Sequence, residues 1–352
     1  MKFFNIDQHI SIIADMHKIL TDMGHQVDDW SISNHTWVLG KQKMHIPLLE
    51  GDGWKKIITN ELWNPFYDTY KDVLKDYDCF ISCYSPYFAM LYKRFNKPVI
   101  INTPIRYEHP LSFSPDQWNI FNDFIREGYD NGKLILVANN LYDKFYCEAF
   151  TQRPWTLIPS LCEYINGSYQ PQNDSFLYYS RKQYSQLKAF LLSKALPGRF
   201  YPQDILKFRG VIHIPYQIST MSIFEQYTYN VPLFFPTIDF LMSLYSSSDP
   251  VLKEVSWNNI LNGPSGSSIR GDYKYDPNDF KDMEAVRYWI QFADFYNEDW
   301  MPHITFFNSF DEANELMNSV DTNHISNLMR ETNIERKKRV YKLWETVLKR
   351  NV

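Results

Sequence analysis

The sequence predicts an α/β protein of two lobes, each built on a parallel sheet. Short apolar runs alternate with helically spaced apolar residues along most of the chain. That rhythm breaks at the polar stretch Asn166–Ser175 and then restarts. A length of 352 residues also exceeds one ordinary domain and suits two of roughly 150–200 residues.

The first lobe opens with a strand over Lys2–Asp7. From His9 onward, Ile12, Ile13, Met16, Ile19, Leu20 and Met23 recur at helical spacing, and Gly24 closes that helix as a left-handed cap. A strand over Gln26–Ser33 completes a β-α-β unit. The alternation continues with a helix near Thr69–Lys75, a strand at Cys79–Cys83, a helix at Pro86–Phe95 and a strand at Pro98–Asn102. A longer connection from Thr103 to about Asp116 leads to a helix ending at Gly128, a strand at Lys133–Ala138, a helix at Tyr142–Phe150 and a strand at Trp155–Pro159. After the linker the pattern gives strand Phe176–Tyr179, helix Gln183–Ala195, strand Gly210–Pro215, helix Met221–Tyr229 and strand Val231–Phe235. Residues 246–280, rich in Ser, Asn, Gly, Pro and Asp, read as a surface excursion, and helices fill much of the chain from about 281.

Composition narrows the function. With 44% hydrophobic, 17% aromatic and 22% charged residues the chain is globular, and its rings belong mostly in cores. A net charge of −5 gives no footprint for a phosphate backbone, so nucleic acid is not an expected partner. The basic run Glu335–Arg339 lies on a helical pattern and reads as a solvated face rather than a binding patch. Cys79, Cys83, Cys147 and Cys162 lack zinc or disulfide-scaffold spacing and are expected as buried free thiols. The absence of a long apolar stretch or an apolar leader places the protein in the cytosol or on the cytosolic face of a membrane. His35 and His45 have no metal-ligand spacing, and no elbow, P-loop, zincin or complete dinucleotide signature occurs.

Open parallel sheets take their ligands at the carboxyl ends of the strands. At one such end, His213–Pro232 runs from a strand through a Ser/Thr-rich turn into a helix with Glu225 early in it, then through Asn230 to a Val-Pro strand. The amides and dipole of that helix start suit a diphosphate, Ser219, Thr220 and Ser222 add hydroxyls, and Glu225 suits a ribose diol. The same residues would also serve simply as a helix cap. After the strand at Phe176, Ser180, Arg181 and Lys182 bring cations to a second strand end, with Lys188 downstream. Asp7, Gln8 and His9 follow the first strand, and the loop Thr103–Pro110 holds Arg106, Tyr107 and Glu108.

The segment around Glu225 resembles the donor-site motif of GT-B glycosyltransferases, in which a strand and small-residue turn precede a helix with a Glu, a small cap residue and a Val-Pro strand. The resemblance implies two Rossmann-like lobes facing a central cleft, the C-terminal one reduced and followed by helices. Residues 1–165 would bind the acceptor and residues 176–352 the donor. Its donor site would comprise Ser180, Arg181, Lys182, Tyr216, Gln217, Ser219, Thr220, Met221, Ser222 and Glu225. Gln217 stands eight positions before Glu225, where paired-Glu members carry a second Glu, which points away from the retaining branch. His9 resembles the general base of inverting members, with Asp7 as a competing base or its orienter and Glu108 as a further candidate. Gln8, Arg106 and Tyr107 would meet the acceptor. The implied reaction moves a sugar from a nucleotide-sugar, UDP- or GDP-linked, to a hydroxyl of a glycan or glycoconjugate, with no metal and no resident cofactor. Two alternatives remain open, a nucleotide-sugar epimerase of the same fold and a sugar- or nucleotide-binding protein without turnover.

Overall fold

The computed structural model describes residues 1–51, 53–109, 114–196, 200–245, 252, 269 and 271–351. The chain divides into two compact units: Met1–Ser160 with Ser267–Lys274 and Val340–Val352, and Leu161–Gly266 with Tyr275–Arg339. The division falls between Ser160 and Leu161, just ahead of the polar stretch Asn166–Ser175.

The first unit carries β1 (Lys2–Asp7), α1 (Ile10–Asp22), β2 (Gln26–Ser31), α2 (Trp63–Leu74), β3 (Cys79–Ser82), β4 (Val99–Thr103), α3 (Pro115–Asp130), β5 (Leu134–Ala138), α4 (Leu141–Thr151) and β6 (Thr156–Leu157). Its six strands lie in the order β2-β1-β3-β4-β5-β6, and every pairing is parallel. Strands covered on both faces have no polar side, which is why β4 and β5 are buried at every residue. Helix α1 buries Ile12, Ile13, Met16, Ile19 and Leu20 and stops at Gly24, whose φ of +84° lets His25 N–H reach the Leu20 carbonyl at 3.0 Å.

Two elements differ from expectation. Helix α2 starts six residues earlier than its period suggests, because Pro65 falls in the first turn, where its missing N–H costs nothing. Pro86–Phe95 is helical but wound as a 3-10 helix; its Tyr92 ring stacks on Phe80 with centroids 4.3 Å apart.

The second unit holds β7 (Phe176–Tyr179), β8 (Phe190–Leu191), α5 (Leu192–Ala195), β9 (Gly210–His213), α6 (Met221–Thr228), β10 (Leu233–Pro236), α7 (Ile238–Leu244), α8 (Met283–Ile290), β11 (Thr305–Phe307), α9 (Phe310–Ser319) and α10 (Thr322–Asn351), whose last residues count with the first unit. The sheet order is β11-β10-β9-β7-β8, again parallel throughout. The helix expected over Gln183–Ala195 does not form. Tyr184 and Leu187 are buried, but an irregular crossover carries them and ends in the edge strand β8, with only Leu192–Ala195 helical. Its backbone bonds go to side chains: Asn314 accepts from Lys188 N–H at 2.9 Å and donates to the Gln186 carbonyl at 2.8 Å, and the Tyr178 hydroxyl accepts from Tyr184 N–H at 3.3 Å. Strand β11 was also hidden, since three residues are too few to show a period and its partner lies about 70 positions earlier.

The basic run on α10 is not a purely solvated face. Arg336 is buried, donating to the Thr228 hydroxyl at 2.9 Å; Lys337 pairs with Glu163 at 2.8 Å; and the Arg339 guanidinium stacks 3.9 Å from the Trp300 ring centroid. All four cysteines are buried and free, as expected. The excursion over 246–280 lies largely outside the described residues. Among the described residues no helix is long and apolar enough to cross a membrane.

Replacing Asn314 by Ala should lower the urea-unfolding free energy by about 1–3 kcal/mol, because it strands an amide and a carbonyl of the crossover. A midpoint equal to that of wild type would mean that other contacts hold this segment.

Candidate functional site

In each sheet the first strand of the unit has neighbours on both sides. Strand β1 lies between β2 and β3, and β7 lies between β8 and β9. The crossovers therefore leave these strands in opposite directions, and the carboxyl ends of β1 with β3, and of β7 with β9, mark the positions where such folds bind ligands.

At the second unit's reversal point, Tyr179 ends β7 opposite His213 at the end of β9. The next residues of the two strands bring together Arg181, whose guanidinium lies 4.2 Å over the Tyr216 ring, and Tyr179, whose ring centroid is 5.8 Å from that of Tyr216. Arg181 and Lys182 are exposed, while Ser180, Tyr216 and Gln217 are half-buried. His213 behind them is structural: it shares a 2.7 Å bond with Gln226, stacks on Phe235, and burial pushes its pKa down to about 4.

The same strand end feeds α6. Thr220 begins the helix without a side-chain cap; its hydroxyl instead meets that of Ser222 at 2.9 Å. The Ser219 hydroxyl donates to Asp294, a buried acid 75 positions away, and Met221 is buried. Glu225 accepts a hydrogen bond from Tyr164. Asp294 and Tyr164 were not singled out from the sequence, and no local signal announces them, because each is brought in by the fold from far along the chain.

At the first unit's reversal point Asp7 is buried. Its Oδ2 accepts from the amides of Cys83 and Tyr84 at 3.1 and 2.6 Å, and its Oδ1 accepts from the amide of His9 at 2.8 Å. The carboxyl thus ties the end of β1 to the chain leaving β3, and it meets the backbone of His9 rather than its ring. Burial pushes its pKa up to about 8, against the pull of the amides. Gln8 and His9 are half-buried. The His9 Nδ1 is shielded without a hydrogen-bond partner; burial, reinforced by His35, pushes this histidine down to about 4, so it is neutral at pH 7. The Tyr84 ring lies 5.5 Å from those of both His9 and His109. Tyr84 and His109 thus join a ring cluster that the sequence alone did not isolate, although Tyr84 directly follows the Cys79–Cys83 strand signal and His109 lies in the quoted loop.

The loop after β4 is built inward. Arg106, Tyr107 and Glu108 are buried: Arg106 donates to the Tyr142 hydroxyl at 2.8 Å and stacks 4.2 Å over Tyr146, and Tyr146 donates to Glu108 at 2.6 Å. The Tyr107 hydroxyl accepts from Trp118 at 2.8 Å and donates to Asn122. The polar groups of this loop thus bond within the unit. Among the described residues no three His, Cys, Asp or Glu side chains are grouped to hold a metal.

The direction of the Asp7 shift sets a pH signature. A carboxyl raised from 3.8 to about 8 contributes stability that is complete below its unfolded pKa and is lost as pH rises through 8. Relative to Asp7→Asn, the wild type should therefore lose unfolding free energy between about pH 4 and about pH 8. Parallel pH profiles for the two proteins in urea unfolding would show Asp7 ionised throughout.

No protein-family model matches the chain, and no curated protein matches it in sequence. Among solved structures it is similar to the spinosyn forosaminyltransferase SpnP, at 10% identity over 99% of each chain with a TM-score of 0.48. It is likewise similar to the glycosyltransferase SnogD from Streptomyces nogalater, at 10% identity over 98% of this chain and 99% of that one, TM-score 0.46. A third similarity is to MurG of Acinetobacter baumannii, at 10% identity over 98% and 99%, TM-score 0.43.

Proposed function

We propose that the protein is a glycosyltransferase of the GT-B type, transferring a sugar from a nucleoside diphosphate donor to a hydroxyl of a glycan or glycoconjugate. The observation that carries this reading is the Arg181 guanidinium over the Tyr216 ring at the reversal point of the second sheet, beside the strand end that leads into α6. A planar guanidinium suits phosphate oxygens, and the start of α6 adds oriented amides. Ser180, Lys182, Gln217, Thr220, Met221 and Ser222 complete the donor set. Glu225 would offer its carboxylate to the ribose, with Tyr164 orienting it.

The chemistry is a single displacement. The acceptor oxygen bonds to the anomeric carbon, the bond from that carbon to the diphosphate oxygen breaks, and the nucleoside diphosphate departs with the electron pair. Arg181 and the α6 amides meet the charge that develops on it, the role a metal plays elsewhere. Neutral His9 takes the acceptor proton, while Asp7, with its oxygens committed to amides, positions the backbone of His9. Attack from the face opposite the leaving group inverts the anomeric centre. Four buried free thiols suit a cytosolic setting.

One observation favours a second reading, a protein that binds nucleotide sugars without turnover: a histidine at about 4 is a weak base at neutral pH. Thermal shift with UDP, GDP, dTDP and CMP separates nucleotide binding from its absence. At least one diphosphate should raise the melting temperature, the matching nucleoside should not, and Arg181→Ala should weaken binding by about tenfold or more. Slow hydrolysis of the matching nucleotide sugar then marks a transferase, whereas binding without hydrolysis marks the second reading. No stabilisation by any nucleotide overturns both.

A further inference from the structure

The first unit has a cavity of about 260 Å³ at the amino-terminal ends of β4 and β5, whereas Asp7 and His9 lie at the carboxyl end of β1. Val99 and Leu134, the first residues of β4 and β5, form part of its wall, together with Ala89, Tyr92 and Phe124, so its floor is apolar. Beyond Gly128, its remaining lining is polar: three cations, Lys93, Lys97 and Lys133, one acid, Glu127, and the amides Asn96 and Asn131.

Two helical segments end at this cavity, and their carboxyl ends favour cations, so the lysines could serve only to offset those ends. The hydrogen bonds argue otherwise. The carbonyls of Glu127, Gly128 and Tyr129 at the end of α3 already accept from the backbone amides of Asn131, Lys133 and Gly132 at 3.1, 2.8 and 3.0 Å. The ammonium groups, by contrast, are only loosely engaged. Lys93 meets Glu127 at 3.4 Å, Lys133 meets the Asn96 carbonyl at 3.4 Å, and Lys97 has no carboxylate partner among the described residues. The α3 carbonyls are thus engaged, and against three ammonium groups the lining sets one carboxylate, Glu127, which pairs with Lys93, so among the described residues Lys97 and Lys133 are left without one.

We propose that this cavity binds a small amphipathic anion, one carboxylate or phosphate group on a compact apolar body, whose charged end meets Lys97 and Lys133 while its body packs on Phe124, Leu134 and Val99. The volume falls just below the usual range of about 300–1,000 Å³ for small-molecule pockets, which limits the body to about one ring. The site is separate from the sugar-transfer reading and stands or falls without it.

Calorimetric titration of the full chain with phenyl phosphate at low salt tests the proposal, with inorganic phosphate and phenol as the two halves of the probe. Phenyl phosphate should bind with a dissociation constant at or below the millimolar range, and each half alone should bind more weakly. Lys97→Gln, at a half-buried side chain, and Lys133→Gln, at an exposed one, should each weaken binding about fivefold, whereas Glu127→Gln should tighten it. Melting curves equal to wild type confirm that the variants fold. No heat with phenyl phosphate, equal binding by phenol, or an affinity indifferent to all three substitutions would overturn the assignment.

Discussion

Strand order is the constraint on which the rest of the molecule depends. Parallel strands need crossovers that pass over a sheet face, and these crossovers keep one hand. When the first strand ends up inside the sheet, the crossovers to its two neighbours must diverge, and no helix can cover the strand ends between them. This happens twice in the chain, at β1 with β3 and at β7 with β9. Each candidate site is a consequence of that topology before it is a consequence of any particular side chain.

The two reversal points use their openings differently. In the first unit a carboxyl of the chain itself occupies the backbone amides, since Asp7 takes those of His9, Cys83 and Tyr84. Desolvation of the buried carboxyl outweighs the amides that favour its charged form, which is why its pKa rises. In the second unit the α6 turn has no side-chain cap from Thr220, and an exposed guanidinium stacks on a ring nearby. One opening is bridged by an internal acid, and the other carries an exposed cation.

Aromatic residues do much of the supporting work, as the composition indicated. Stacked pairs such as Phe80 with Tyr92 and His213 with Phe235 lie directly behind strands. Rings with a polar tip go further by satisfying buried groups: Tyr146 serves Glu108, and Tyr178 serves the crossover into β8. A chain with 25 Tyr can use hydroxyls in its interior where other proteins would use water or backbone.

What the sequence determined by itself was everything with a local period or a local cap: the β-α-β opening, the stop at Gly24, the buried strands β4 and β5, and the strand-turn-helix run into α6. The placing of Asp7, His9, Arg181 and Tyr216 near strand ends was legible for the same reason, because each lies at or just after a strand signal. Tertiary structure alone decided what depends on distant partners. Asn314 holds the segment after β7 in an irregular path although Tyr184 and Leu187 have helical spacing, and β11 exists because β10 offers it an edge. Arg106 and Glu108 are buried because Tyr142 and Tyr146 on α4 meet them there. Short-range periodicity records which face of an element is apolar; which far segment satisfies a backbone amide or a buried charge is a property of the assembled fold.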